Sequence, residues 1–486
     1  MNAFSRTTAT IMGIAVPGVL IAVTAFVSPL PSGSGSRGPE QIRLPATAIT
    51  ALCPGPLDLT AEDAVDTDEE FEASDAPTTV ARAVSVTTTA PDGSDGAGGI
   101  TATVVDGDEQ FRTDPGDPFV TGADGMGAPV VYEGEPAGES PVHMSAVQTA
   151  SAEDGDYAGL SALACATPVT RAVFSGASTL TGEDSRLLIG NPTDAPVTVR
   201  VSLTGETGPL AVAGQDELTV QPRSMRTVVL GALAQEAAVL GAEVTAEDGR
   251  ITTVLQRTRR DGLTPLGIEH AAPEAPAAAR TVVPIATGGH ARLRVTNPTD
   301  RAVSAQLGAH AADGPMQLAN GSVAVPAHGT AEVDLGEISP GDVVLDADGE
   351  LTASVSVTVD TTEGEDIAQY PGVEAVGAAR LLTLPTDEVG NPLEGDIAVA
   401  AGEGSVEIVP VLGDGQRGEP QAYDLEADRA IVLGLADFPD ARALEVRGTE
   451  GDAFATVGVR TESGVSGVTL PAAPEGIGYR DVRLER

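Results

Sequence analysis

The sequence predicts an all-β protein, with tandem immunoglobulin-like β-sandwich domains after an N-terminal transmembrane helix. Three observations lead there. An uninterrupted apolar run stands near the N-terminus, short alternating runs between Gly-, Pro- and Asp-rich clusters fill most of the remainder, and from about residue 168 the chain repeats its own order of elements.

Between Arg6 and Arg37 there is no charged residue, and Ile11–Val27 (IMGIAVPGVLIAVTAFV) is almost continuously apolar. Counted with Thr7–Thr10 this run would form a helix of about 31 Å, the thickness of a bilayer's hydrocarbon. Residues 1–10 are therefore expected in the cytoplasm, 11–30 as a transmembrane helix or signal anchor, 31–39 (PSGSGSRGP) as a flexible linker, and the bulk of the chain outside the cell membrane. The alternative is a cleaved signal peptide with Val23 and Ala25 before the cut, which would make the chain secreted; the length of the run favours the anchor.

Residues 40–167 read as a mostly β N-terminal domain. An acidic stretch, AEDAVDTDEEFEASDAP (61–77), precedes the alternating runs TTVARAVSVTTTA (78–90) and GITATVVDG (99–107). In an exported chain the only two cysteines, Cys53 and Cys165, predict one disulfide. It would close 165 − 53 = 112 residues and stabilise by roughly 4–5 kcal/mol in the chain-entropy model. A Cys-His metal site is the alternative, but neither cysteine has a CxxC partner or a nearby His.

Three blocks follow, starting at TRAVF (170–174), ARTVV (279–283) and AARLL (378–382), and predict sandwich repeats at 168–268, 278–372 and 377–486. Each continues with a strand, a tight turn and a strand: SRLLIGNPTDAPVTVRVSLTGETGP (185–209), ARLRVTNPTDRAVSAQLGAHAADGP (291–315) and DIAVAAGEGSVEIVPVLGDGQRGEP (396–420). Closing hairpins are expected at 241–257, 342–357 and 443–460. Each block then holds about seven short strands, as in an immunoglobulin-like sandwich, though without the Cys-Trp-Cys core. With no Trp, the cores must be Val, Leu, Ile and Ala. One helical turn is expected within LGALAQEAAVLGAEV (230–244).

The word NPTD occurs twice, as Asn191-Pro192-Thr193-Asp194 and Asn297-Pro298-Thr299-Asp300. Pro fixes φ and pushes the preceding Asn toward extended geometry, and Asn, Thr and Asp side chains bond nearby backbone; both are predicted as structural turns of hairpin type. Pro in the middle position excludes N-glycosylation.

A formal charge of −44, with all 27 basic residues Arg and none Lys, disfavours nucleic acid and anionic lipid headgroups as partners. Absence of Lys beside abundant Ala, Gly and Pro reads as GC-rich, actinobacterial coding, with a salt-adapted surface as the other reading of the acidity. GDGQRG (413–418) satisfies GxGxxG, but Glu419-Pro420 and a β-like run follow where a phosphate-binding helix should start. In the Asp-rich DTDEEF (66–71), Phe71 stands where a calcium loop needs Gly. His143, His270, His290, His310 and His328 show no metal-binding or catalytic spacing, and no G-x-S-x-G elbow occurs. Few aromatics weaken a sugar-stacking surface. No catalytic, cofactor or metal residue is expected, and the chain is read as noncatalytic.

The layout from the apolar segment through Cys53-Pro54-Gly55-Pro56 to CATPVTRAVFSGASTL (165–180) and SRLLIGNPTDAPVTV (185–199) resembles an uncharacterised family of actinobacterial exported proteins, domain of unknown function 5719. The chain departs from it at Phe174, where a more aromatic stretch is expected, and in lacking NPTD in the third block. The resemblance implies a cell-envelope protein, often encoded near a glycosyltransferase. The expectation is thus a membrane-anchored extracytoplasmic spacer or interaction scaffold, with an accessory role in envelope polysaccharide synthesis beside a glycosyltransferase as the alternative.

Overall fold

Along Val197–Gly205 every second side chain, Val197, Val199, Val201 and Leu203, is buried, while Arg200 and Ser202 face solvent. Such period-two alternation lays one face of a strand on a core. The computed structural model is nearly all β, with one helical turn at Leu230–Leu233 and a 3-10 turn at Leu435–Asp437. It describes residues 40–43, 48–59, 76–136 with short gaps, 142–472 apart from 213–216 and 378, and 479–482. The expected anchor at 11–30, the linker at 31–39 and most of the acidic stretch lie outside the described residues. Among the described residues no helix is long and apolar enough to cross a membrane.

The strands Glu40–Arg43 and Tyr479–Val482 pair antiparallel and belong to one unit; residues 44–478 form another. In the larger unit four segments each place two sheets face to face. In the N-terminal segment one sheet orders Ile49–Cys53, Val130–Gly134, Ile100–Val104 and Gln110–Arg112. The other orders Gly159–Ala164, His143–Ala152, Thr78–Val86 and Phe119–Thr121. Tyr132, Ile100 and Ala146 pack between them beside the Cys53–Cys165 disulfide.

The next segment pairs Arg171–Ala177, Leu240–Ala246 and Val197–Gly205 in one sheet and Ser224–Val229, Glu183–Asn191, Thr252–Asp261 and Thr264–Ala271 in the other. Its core holds Phe174, Leu187, Val201 and Leu255. In the third segment the long strand Gly341–Asp360 serves both sheets. Its first part pairs with Ala278–Ile285 and Val303–Ala311, its second with Gly289–Thr296 and Glu365–Pro371. The fourth repeats the pattern, with Arg380–Thr383, Ala441–Gly451 and Gly404–Leu412 facing Ile431–Gly434, Glu394–Val399, Ala455–Arg460 and Val465–Thr469.

The expected closing hairpins at 241–257, 342–357 and 443–460 are not hairpins. Leu240–Ala246 pairs with Arg171–Ala177 and Val197–Gly205, whereas Thr252–Asp261 pairs with Glu183–Asn191 and Thr264–Ala271, so the chain arches from sheet to sheet. The acidic turn is tied to the start of a neighbouring strand: Thr198 N–H donates to Asp248 Oδ1 at 2.7 Å, and Ser304 N–H to Asp348 Oδ1 at 3.0 Å. Alternation is the same for a hairpin and for an arch whose two strands face each other across a core, so pattern alone does not separate them. The hairpins come one strand later, ending in Thr264–Ala271, Glu365–Pro371 and Val465–Thr469.

NPTD is likewise a corner between sheets. Asn191 ends a strand of one sheet and Val197 begins a strand of the other; in the second corner a strand ends at Thr296, Asn297 follows it, and Val303 begins the strand across the core. Asn191 is fully buried, its Oδ1 accepting Thr193 N–H at 3.0 Å and its Nδ2 donating to Ala195 O at 2.7 Å and Val220 O at 3.1 Å. Asn297 does the same with Thr299 N–H at 2.9 Å, Arg301 O at 2.7 Å and Val325 O at 3.2 Å. Pro192 is buried, Pro298 is half-buried, and Asp194 and Asp300 are exposed, Asp194 pairing with Arg223 at 3.0 Å.

Candidate functional site at the four-strand axis

The last strand of each segment, Gly159–Ala164, Thr264–Ala271, Glu365–Pro371 and Val465–Thr469, lies at the edge of its sheet. Each packs against its neighbours in the cyclic order just given, and Gly159–Ala164 and Glu365–Pro371 also touch across the ring. An edge strand carries backbone N–H groups with no partner in its own sheet, and burying four edges together obliges other groups to accept them. Buried side chains do so.

Asp366 is fully buried. Its Oδ2 accepts Leu160 N–H at 2.9 Å and Val465 N–H at 2.9 Å, and its Oδ1 accepts Ile268 N–H at 3.0 Å. One carboxylate thus joins a strand of the third segment to the closing strands of the other three. Glycine makes the room. A Cβ on Gly159 or Gly267, in two of the partner strands, or on Gly464, just before the third, would run into that carboxylate; Gly159 and Gly267 also have φ of +151° and +122°, which favours glycine. Burial raises the Asp366 pKa to about 8, against the opposing pull of the backbone N–H donors.

Glu269, also fully buried, is the second joint. Its Oε2 accepts Gln369 N–H at 3.0 Å and Gly467 N–H at 3.2 Å, and its Oε1 accepts Ser466 Oγ–H at 2.8 Å. Ser466 Oγ in turn accepts Ala162 N–H at 2.8 Å. Burial holds the Glu269 carboxyl well above the usual range. Beside it His270 N–H donates to Ser161 Oγ at 2.9 Å, and that hydroxyl lies 2.9 Å from His270 Nδ1. Burial lowers the His270 pKa to about 4, so the ring is neutral.

Ser161, His270 and Glu269 have the composition of a hydrolytic triad but not its geometry. The Glu269 carboxylate bonds the His270 backbone rather than its ring, and the three residues are at most 1 % exposed. A nucleophile needs a substrate beside it, and none of the three lines the cavities at either end of the axis. The cluster couples strands.

Four further contacts hold neighbouring segments together. Thr383 N–H donates to Ser145 Oγ at 3.0 Å, Arg186 Nη1 pairs with Asp58 Oδ1 at 3.3 Å, Arg294 Nη1 donates to Gly176 O at 2.9 Å, and Ala401 N–H donates to Asp342 Oδ2 at 2.7 Å. Asp342 also pairs with His310 Nδ1 at 2.8 Å. His290 is half-buried beside Asp334 and Glu337, and His143 is half-buried with its pKa lowered by that burial. Among the described residues no three His, Cys, Asp or Glu side chains gather where they could hold a metal ion.

The residues that follow all four closing strands, 164–171, 272–276, 372–374 and 469–472, line a cavity of about 580 Å³. Residues 153–155, 362 and 461–463, which precede three of the strands, line with 386–389 a second cavity of about 1410 Å³ rimmed by Glu153, Asp154, Glu388 and Glu462. Cys53 and Cys165 lie in the core of the N-terminal segment, Cys165 also lining the first cavity, and both NPTD words lie at corners between sheets. Sequence reasoning placed acids in turns and missed Asp366 and Glu269. The available signal was a carboxylate set against an apolar run, alone in GIEHAA (267–272) and beside Glu365 in EDIAQYP (365–371).

Comparison with curated proteins returns no match. A Streptomyces avermitilis alpha-L-rhamnosidase, solved in complex with L-rhamnose, is similar at 10 % identity over 78 % of this chain and 54 % of that one, with a TM-score of 0.11. The chain thus spans about half the length of that enzyme, and at that TM-score the likeness carries no argument about fold or activity. The family comparison is of another order, because one model runs from the last strands of the N-terminal segment through three of the four closing strands to the 3-10 turn. Matching residues 120–436 of it, the chain belongs to DUF5719, a family of unknown function.

Proposed function

We propose that this protein is a noncatalytic extracytoplasmic scaffold of the cell envelope, tethered to the membrane by residues 11–30, whose immunoglobulin-like sandwiches form one rigid block. The observation that carries the reading is the use made of its buried acids. Asp366 and Glu269 spend their acceptor sites on backbone N–H groups and a serine of neighbouring segments. Groups so engaged tie edge strands together, and the neutral His270 ring, whose Nε2 has no partner, is sealed from solvent at 1 % exposure. Four mutually bonded segments suit a fixed platform better than an extended spacer. The acidic surface would repel anionic lipid and keep the block off the bilayer.

The test is fractionation of cells into membrane and medium, probed with an antibody to the C-terminal segment, followed by detergent extraction and pull-down of the full chain. Recovery in the membrane fraction with a constant set of envelope proteins supports the scaffold. Release of the whole pool into the medium would refute the tether. Glycosidic turnover by the purified chain, lost on substitution of an axial acid without loss of fold, would refute the noncatalytic reading.

A further inference from the structure

The cavity at the end of the axis where all four closing strands finish differs in charge from the rest of the molecule. Across the chain acids outnumber bases 71 to 27, yet this cavity is lined by Arg171, Arg250 and Arg380 against Glu274 and Glu374. Each acid there already has a partner. Glu274 is buried and accepts Ser175 N–H at 2.5 Å and Ser175 Oγ–H at 2.8 Å, while Glu374 is exposed and stands 3.9 Å from Arg380 Nη2.

Two arginines retain donors. Arg171 is taken, with Nε and Nη2 on the two Glu243 oxygens at 2.6 and 3.0 Å. Arg250 is exposed and has no hydrogen bond or ion pair among the described residues. Arg380 gives Nη2 to Ala375 O at 3.0 Å, but its Nε–H is buried without a partner, and burial depresses the pKa of its guanidinium. On the same wall Thr253, 1 % exposed, has a hydroxyl with no partner. The remaining lining is small and apolar, with Val169, Val173, Val373 and Leu470 among it.

Arg380 and Thr253 both line this cavity, and each holds a buried polar group without a partner, a combination that suits an anionic acceptor. We propose that this axial cavity binds an organic anion, a carboxylate joined to an apolar body, with Arg380, Arg250 and Thr253 taking the carboxylate and the Val, Leu, Ala and Pro lining taking the body. Its volume of about 580 Å³ is that of small-molecule sites. The site is built from the connections between segments, so its occupant would contact all four.

The test is calorimetric titration of the full chain with sodium decanoate, using decanol and inorganic phosphate as comparison probes. Saturable one-to-one binding of decanoate, with decanol and phosphate each about tenfold weaker or more, is expected. Arg380→Gln should weaken decanoate about tenfold, and Thr253→Val should weaken it less, with circular dichroism showing the fold retained. If Arg380→Gln fails to fold, Thr253→Val and Arg250→Gln carry the comparison. No saturable binding, decanol or phosphate binding as tightly as decanoate, or unchanged decanoate affinity in the folded variants would overturn the proposal.

Discussion

The Asp366 carboxylate and the Leu160 backbone N–H lie 2.9 Å apart although 206 residues of chain separate them. That bond, with those from Ile268 and Val465, makes one side chain the meeting point of all four segments. Asp366→Asn keeps the shape but turns an amide NH₂ toward backbone donors whichever way it is placed. In urea unfolding at pH 9, above the Asp366 pKa of about 8, where both oxygens of the ionised carboxylate accept, a loss of about 3 kcal/mol is expected. A loss below about 0.5 kcal/mol, the ordinary range for surface substitutions, would mean that the joint is not structural.

Gly464 tests the same joint from the partner side. A Cβ there meets Asp366 Oδ2 and the Leu160 N–H, both fixed by the bond between them, so neither yields without breaking it. Gly464→Ala should destabilise by about 2 kcal/mol or more. Gly413→Ala, at an exposed turn with open space around its Cβ, should change stability by less than about 0.5 kcal/mol. Equal effects at the two positions would show that the axis is loosely packed.

These joints mark the limit of what the sequence disclosed. Sheets were legible because VTVRVSL (197–203) alternates once per residue, and the disulfide because Cys53 and Cys165 are the only two cysteines. Which strands pair was not, since GAEVTAEDGRITTVLQR (241–257) alternates alike whether its halves pair or face each other across a core. The closing strands went unread for a related reason. GLSALA and VSGVT are buried on both faces, so they lack the polar side that makes a strand conspicuous. Asp366 takes partners from three distant segments, and nothing local to EDIAQYP encodes them.

Glu274 sets a pH dependence. Burial raises its pKa from 4.5 to about 7 despite the Ser175 donors. Because the folded value lies above the unfolded one, the folded state holds this proton more tightly. Its stabilising contribution is complete below pH 4.5 and is lost as pH rises to 7. A rise of that size corresponds to about 3 kcal/mol across that window. Glu274→Gln can still accept Ser175 N–H and donate to Ser175 Oγ, as the protonated acid does. The variant should match the parent near pH 4 and exceed it by about 3 kcal/mol near pH 8 in urea unfolding. Parallel curves for the two proteins across this range would remove Glu274 as the source.

The two NPTD corners predict matched behaviour at Asn191 and Asn297. In each, Oδ1 receives the N–H two residues on, while Nδ2 donates to a carbonyl of the corner and to one at the end of a neighbouring strand, with Pro326 O as a third acceptor at Asn297. Aspartate preserves the first half of that arrangement and inverts the second, setting a buried carboxylate oxygen against two carbonyl oxygens. Asn297→Asp and Asn191→Asp should therefore each destabilise by about 3 kcal/mol at pH 7. Protonation restores one donor, so part of the loss should return near pH 4. The two sites share no hydrogen-bond partner, so the double variant should lose close to the sum. Asp300→Asn, at the exposed end of the same corner, should stay within about 0.5 kcal/mol of the parent. If the aspartate variants match Asp300→Asn, the corners are held by Pro192 and Pro298 and not by the asparagine side chains.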